Sequence, residues 1–294
     1  MTQAADLASG KGHKDENFPV ASHLVRAELR PTIMAFYRFA RAADDVADHP
    51  AAAPGMKLEQ LAALEAGLRG EAHGSPEGQA LRAAQQARGL TERHALDLLE
   101  AFRRDVAQLH YPDWDGLMDY CRYSAAPVGR FVLDLHGESR RLWPMNDALC
   151  AALQVINHLQ DCGKDYAALR RVYLPLDAMR AAGVTVEALG EAKASPALRG
   201  VIGGLAERCG LLLRQSRPFA TSIADRRLAM EVGVIHTLAE SLTERLLHRD
   251  PLSERVHHRK AEVLTLSLRG GLGVLAARMG RRLRGRPAMA GGGA

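Results

Sequence analysis

Apolar residues recur three and four apart along most of the chain, in segments rich in Ala, Leu, Arg and Glu, and alternating β-branched runs are absent. That spacing collects apolar side chains on one stripe of a helix, so the pattern predicts an all-α fold. Helices are expected at roughly 21–48, 56–69, 79–86, 91–109, 113–138, 145–165, 195–217, 221–248 and 252–284. Pro31 breaks or bends the first of these, or sits in its first turn, where a missing N–H costs nothing. The Pro, Gly and Ser stretches at 49–55 and 70–78 are short enough to read as loops between helices. The expectation is therefore one domain over residues 1–294, with flexible ends at about 1–16 and 285–294.

Composition narrows the setting. The chain has 294 residues, 47% of them hydrophobic, which suffices for a substantial core. It contains no apolar run of eighteen residues, and its N-terminus (Thr2 to Asn17) is polar, so a cytoplasmic protein without a membrane span or secretory signal is expected. Cys121, Cys150, Cys162 and Cys209 are scattered and form no CxxC pair; reduced and mostly buried thiols are expected rather than a zinc site or disulfides. A net charge of +5 permits anionic partners. Nucleic acid is not expected among them, because the charge is diffuse and no recognition motif appears. The one basic concentration is C-terminal: Arg278, Arg281, Arg282, Arg284 and Arg286 beside Leu272, Val274, Leu275, Met279 and Leu283. It suits peripheral contact with an anionic membrane surface, and equally a solvated helix end.

The segment FYRFARAADDVAD places Asp44 and Asp48 four residues apart, on one helix face and a turn from each other. Like charges so placed repel unless a cation neutralises them, and Mg²⁺ takes carboxylate oxygens together with substrate phosphates. Asp45 points away from that face, towards solvent or a supporting role. The arrangement recurs in LQVINHLQDCGKD, with Asp161 and Asp165 four apart and Asn157 one turn earlier. A single pair of this kind is common on solvated helices. Two pairs in apolar segments suit a set of Mg²⁺ ions that hold a diphosphate and make it a leaving group.

Cations accompany both pairs: Arg38 and Arg41 before the first, Lys164, Arg170 and Arg171 around the second. Arg41 shares a face with Asp44 and Asp48 and is expected to contact diphosphate, whereas others balance carboxylates. Ser22, near a helix start, either donates to phosphate or caps the helix. Nine of the twelve Phe and Tyr residues fall in the motif segments (Phe18, Phe36, Tyr37, Phe39, Tyr120, Tyr123, Phe131, Tyr166 and Tyr173), where ring faces can stabilise a carbocation, although packing explains any one of them. In YCRYSAAPVG the small residues Ser124, Ala125, Ala126 and Gly129 make room for close helix packing or for a long apolar ligand.

These motifs resemble the squalene/phytoene synthase family over nearly the whole chain. The resemblance is carried by the DxxxD of Asp44 to Asp48, the YCxxxAxxVG of Tyr120 to Gly129, the NxxxDxxxD of Asn157 to Asp165, and RVYLP at Arg171 to Pro175. ENFPVAS, YRFARAADDVAD, YCRYSAAPVG and DCGKDY look most like the branch that forms hydroxysqualene in the bacterial hopanoid pathway. The resemblance implies a helical isoprenoid synthase bundle with a central active-site cavity, and several bound Mg²⁺ held by Asp44, Asp48, Asn157, Asp161 and Asp165. It further implies rearrangement of presqualene diphosphate, without a nicotinamide cofactor, to hydroxysqualene and free diphosphate. Tyr37, Asn157, Gln160 and Tyr173 join the four aspartates as implied catalytic residues. Implied substrate contacts are Phe18, Ser22, Arg41, Tyr120, Tyr123, Ala126, Gly129, Lys164, Arg171 and His236.

Two positions depart from condensing relatives: Gln160 replaces an arginine, and His236 stands near a customary tyrosine, where it either orients water or is a satisfied core histidine. Gln160 favours binding of one diphosphate over two. The alternatives are a condensing synthase that uses farnesyl or geranylgeranyl diphosphate, and a non-catalytic assembly protein on the same fold.

Overall fold

The computed structural model describes residues 24–284. Twelve α-helices run through them: α1 Arg30–Asp48, α2 Pro54–Arg69, α3 Pro76–Gln86, α4 Arg93–Ala107, α5 Trp114–Ser124, α6 Ala126–Leu135, α7 Trp143–Leu169, α8 Leu176–Ala181, α9 Pro196–Ser216, α10 Phe219–Ser222, α11 Arg226–His248 and α12 Lys260–Arg284. Among these residues the extended backbone is a single parallel bridge between His110 and Val172. The all-α expectation holds.

Helix starts follow from capping chemistry. Ser75, Asp113, Ser195 and Asp225 each accept a backbone N–H of the first turn of the helix they precede, and proline opens α2, α3 and α9. Pro31 occupies the first turn of α1, which starts at Arg30 rather than near 21.

Other boundaries also differ from expectation: α8 was not expected, and the segment expected over 221–248 is divided, with α11 starting at Arg226 behind its cap Asp225. The segment 113–138 is two helices that meet at Ala125, because Pro127 cannot sit in a helix interior and instead lies in the first turn of α6. The acidic helix α7 is longer than expected and stops where Arg170 adopts a left-handed conformation, φ 56°. The last helix starts at Lys260, not 252, because Asp250 ties the preceding loop down by accepting from the backbone of Ala194 and Leu252 and from the Ser253 hydroxyl.

Two buried clusters carry the packing. One lies between α1, α2, α3, α4 and α6 and includes Phe36, Phe39, Leu61, Leu64, Leu98 and Phe131, with Phe36 stacked on Phe131 at 4.0 Å. The other centres on α7, α9 and α11. Cys121, Cys162 and Cys209 are buried, Cys150 is half-buried, and all four are free thiols. Helix α12 crosses α11 closely: a Cβ on Gly233 would lie 2.3 Å from Val274 Cγ2, and one on Gly270 would lie 2.6 Å from the Gly233 carbonyl oxygen. No described helix is long and apolar enough to cross a membrane.

Candidate active site

The first acidic pair lies at the C-terminal end of α1. Arg41 donates to Asp44 at 2.8 Å and to Asp45 at 2.5 Å, so the guanidinium expected to meet a diphosphate engages carboxylates of its own helix. Asp45 is buried and ion-paired, not solvated. Its neighbour Asp44 keeps 37% of its side chain accessible, in a recess crowded by protein atoms. Desolvation there, together with the charge of Asp48, pushes the Asp44 carboxyl above the usual carboxylate range, against the pull of Arg41.

Asp48 is held from far along the chain. The buried Arg171 donates to its carboxylate and, at 3.0 Å, to the Ala47 carbonyl. The 171–176 segment is placed by the backbone of residues 109–111: Val172 N–H donates to the Leu109 carbonyl at 2.8 Å, and Leu176 N–H to the Tyr111 carbonyl at 3.0 Å. The bridge that supplies these bonds thus aims both Arg171 and Tyr173 at the site.

The centre of the site holds Asp105, which the sequence motifs do not contain. It is buried on α4, on the same stripe as Leu98 and Ala101. Tyr120 donates to one of its carboxylate oxygens at 2.9 Å and Tyr173 to the other at 3.4 Å. Burial raises its pKa to about 6, although Arg171 and the two phenol donors pull it down; the charge of Asp48 pushes the same way as burial. The signal available beforehand was an acid in the apolar register of an amphipathic helix, where a lone carboxylate is costly.

From Asp105 the site reaches the second acidic helix through aromatic rings. Tyr173 stacks on His158 of α7 with centroids 3.4 Å apart, and Tyr120 and Tyr111 pack against Tyr173 at 5.8 and 5.7 Å. His158 Nδ1 lies 3.9 Å from Asp165. Asp161 accepts from Lys164 at 2.6 Å and has His257 Nε2 at 3.9 Å. The two acidic segments are thereby linked through one stretch of chain: Arg171 holds Asp48, and Tyr173, two residues on, stacks on His158, which faces Asp165. His257 comes from the α11–α12 loop and was not legible as a site residue in the sequence.

Other expected site residues distribute unevenly. Asn157 and Tyr37 are half-buried on the acidic helices α7 and α1. Gln160 is buried on α7, with neither amide atom bonded to protein. Tyr123 is engaged elsewhere, under the Arg104 guanidinium at 4.3 Å. Gly129 serves close packing: a Cβ there would lie 2.0 Å from Asn146 Oδ1 and 2.8 Å from Cys150 Sγ, both on α7. Ala126 is buried, and its carbonyl accepts from Asn146 at 3.4 Å. His236 of α11 bonds the Leu213 carbonyl of α9 at 2.9 Å, which accounts for it as a satisfied interior histidine. Phe18 and Ser22 lie outside the described residues.

The donor set suits a hard divalent cation: the four motif aspartates and Asn157 offer oxygen, and Asp44 and Asp48 repel each other without one. Among the described residues no group of three or more His, Cys, Asp or Glu is already gathered round a metal position. Two separate pairs would leave part of a bound cation's coordination to other oxygen ligands.

Known proteins match this chain. A family model described as squalene/phytoene synthase covers residues 11–262. The hydroxysqualene synthase of Zymomonas mobilis is 58% identical over 274 residues, 92% of each chain, and that of Rhodopseudomonas palustris is 55% identical over 267 residues, 91% of each. A solved squalene synthase from Alicyclobacillus acidocaldarius superposes with a TM-score of 0.69 at 31% identity, over 82% of this chain and 90% of that one. A dehydrosqualene synthase structure, at a TM-score of 0.75 but 21% identity over 93% and 96% of the two chains, shows the shared fold. The helical bundle, the paired aspartates and these likenesses agree that this is an isoprenoid synthase enzyme, and the chain belongs to the squalene/phytoene synthase family.

Proposed function

We propose that the enzyme converts presqualene diphosphate to hydroxysqualene, with Mg²⁺ and without a nicotinamide cofactor. The observation that carries this reading is the identity of 48–58%, over nine-tenths or more of the chain, to three proteins named hydroxysqualene synthase. The site geometry supports the chemistry. Asp44, Asp48, Asn157, Asp161 and Asp165 would hold the metal, whose charge would help the diphosphate depart. Arg171 keeps Asp48 in place for that role.

Loss of diphosphate leaves a cyclopropylcarbinyl cation that rearranges and opens. Tyr111, Tyr120 and Tyr173 present ring faces that stabilise positive charge without attacking it. Asp105 sits behind two of these phenols, held by their hydroxyls, so its negative charge acts through space and not as a nucleophile. Water then forms the new C–O bond and loses a proton to released diphosphate or a nearby base, so no reductant is consumed. The orphaned amide of Gln160, next to Asp161 in the chain, is suited to hold such a water.

Incubation with presqualene diphosphate and Mg²⁺ in ¹⁸O-water, without NADPH, is expected to give hydroxysqualene carrying the label. An unlabelled alcohol, a hydrocarbon, or inertness combined with turnover of farnesyl diphosphate would place the enzyme with the condensing members of its family.

A further inference from the structure

We infer that the outward face of α12 is a docking surface for an anionic lipid bilayer. Leu264, Leu268, Leu272 and Met279 are 64, 58, 62 and 61% exposed. Their spacing of four, four and seven residues aligns them on one stripe of the helix, so they form a ridge rather than a scatter of single apolar residues. The ridge cannot turn inward. Gly270 and Val274 on the opposite face meet Gly233 of α11 at distances no other rotation of α12 would preserve, and Arg278 pins the helix by donating to the carbonyls of Ile223 and Ala224 at 2.6 and 3.2 Å.

Charge selects the occupant. The only acid in α12 is Glu262, and Arg245 engages it at 2.8 Å. Lys260 and Arg269 are exposed on the helix, and the sequence continues through Arg281, Arg282, Arg284 and Arg286. An apolar ridge flanked by cations with no free acid matches the boundary between phosphate headgroups and acyl chains. A second copy of the chain fits poorly, since an isologous contact would set this basic face against itself. The ridge lies upstream of the basic tail, so insertion resides in residues 264–279 and the arginines after them add salt-sensitive attraction. An apolar substrate, as proposed above, gives such docking a use, but the surface argument stands without it.

The test is cosedimentation of the full chain, without substrate, with vesicles of phosphatidylglycerol and phosphatidylcholine in equal parts, and with phosphatidylcholine alone. Binding is expected to the anionic vesicles, to weaken as salt rises, and to fall by about tenfold or more in Leu268→Ser/Leu272→Ser. That variant should stay within a few degrees of the wild-type melting temperature and keep its turnover, because both side chains are more than half exposed and neither belongs to the site. Equal binding by variant and wild type, or no binding of wild type to anionic vesicles, overturns the proposal. So does light scattering that shows a wild-type dimer and a monomeric variant, which would assign the ridge to self-association. Since the readout needs no turnover, failure of the proposed reaction would leave it interpretable.

Discussion

Arg171 and Asp48, 123 residues apart in the chain, form an ion pair in which the guanidinium also holds the Ala47 carbonyl at the end of α1. The arginine is buried and the carboxylate is not, so the pair fixes the position of an accessible acid from the protein interior. Through the bridge at Val172 the same segment sets Tyr173 over His158.

Arg171→Ala should therefore damage the site more than the fold. We expect kcat/KM to drop by about hundredfold, as when one stabilising electrostatic group is lost, and stability to fall by about 2 kcal/mol from the missing buried donor. Steady-state kinetics beside thermal melting would separate the two effects; wild-type turnover in a fully folded variant would refute the positioning role.

The four motif aspartates should behave as a set. Asp44→Ala, Asp48→Ala, Asp161→Ala and Asp165→Ala are each expected to remove most turnover, with helical circular dichroism unchanged, since each would help hold a metal that assists diphosphate departure. EDTA should silence the wild type and added Mg²⁺ should restore it. Near-normal activity in any two variants, or full activity in EDTA, would rule out the metal reading.

Asp105 makes stability depend on pH in a direction opposite to most carboxylates. Its pKa is about 6 in the folded chain, above the ordinary value of 3.8, so between about pH 4 and pH 6 the folded state holds a proton that the unfolded state has lost. Stability from this group is fully present below the unfolded value and is lost as pH rises through the folded one, a change on the order of 2–3 kcal/mol. Asp44 shifts the same way, so the informative quantity is the wild-type curve minus that of Asp105→Asn. Urea unfolding in EDTA across this range should show a falling difference as pH increases; a flat difference would mean Asp105 titrates normally.

Gln160 offers a test of the water-holding role. A buried amide without protein partners costs about 1–3 kcal/mol. If its purpose is to hold water, Gln160→Leu should leave the protein as stable as wild type or more so while lowering alcohol formation by tenfold or more. Loss of stability with unchanged turnover would make Gln160 a structural residue.

The sequence by itself determined what is local. Helical periodicity, the proline starts and the four-residue spacing of Asp44 with Asp48 and of Asp161 with Asp165 are properties of neighbouring residues, and the structure returns them with shifted ends. The division at Ala125 was also within reach, since Pro127 forbids a continuous helix whatever surrounds it.

What only the tertiary structure decided depends on partners distant in the chain. Asp105 is an ordinary helical acid until Tyr120 and Tyr173 close over it, and Gly129 favours packing over ligand space only because Asn146 arrives opposite it. On α12 the sequence showed apolar residues beside the arginines, but several stripes of that helix are apolar. Which one faces solvent follows from the close approach of Gly270 and Val274 to Gly233, because a helix buries the face that lets two backbones meet and leaves the opposite face to whatever lies outside.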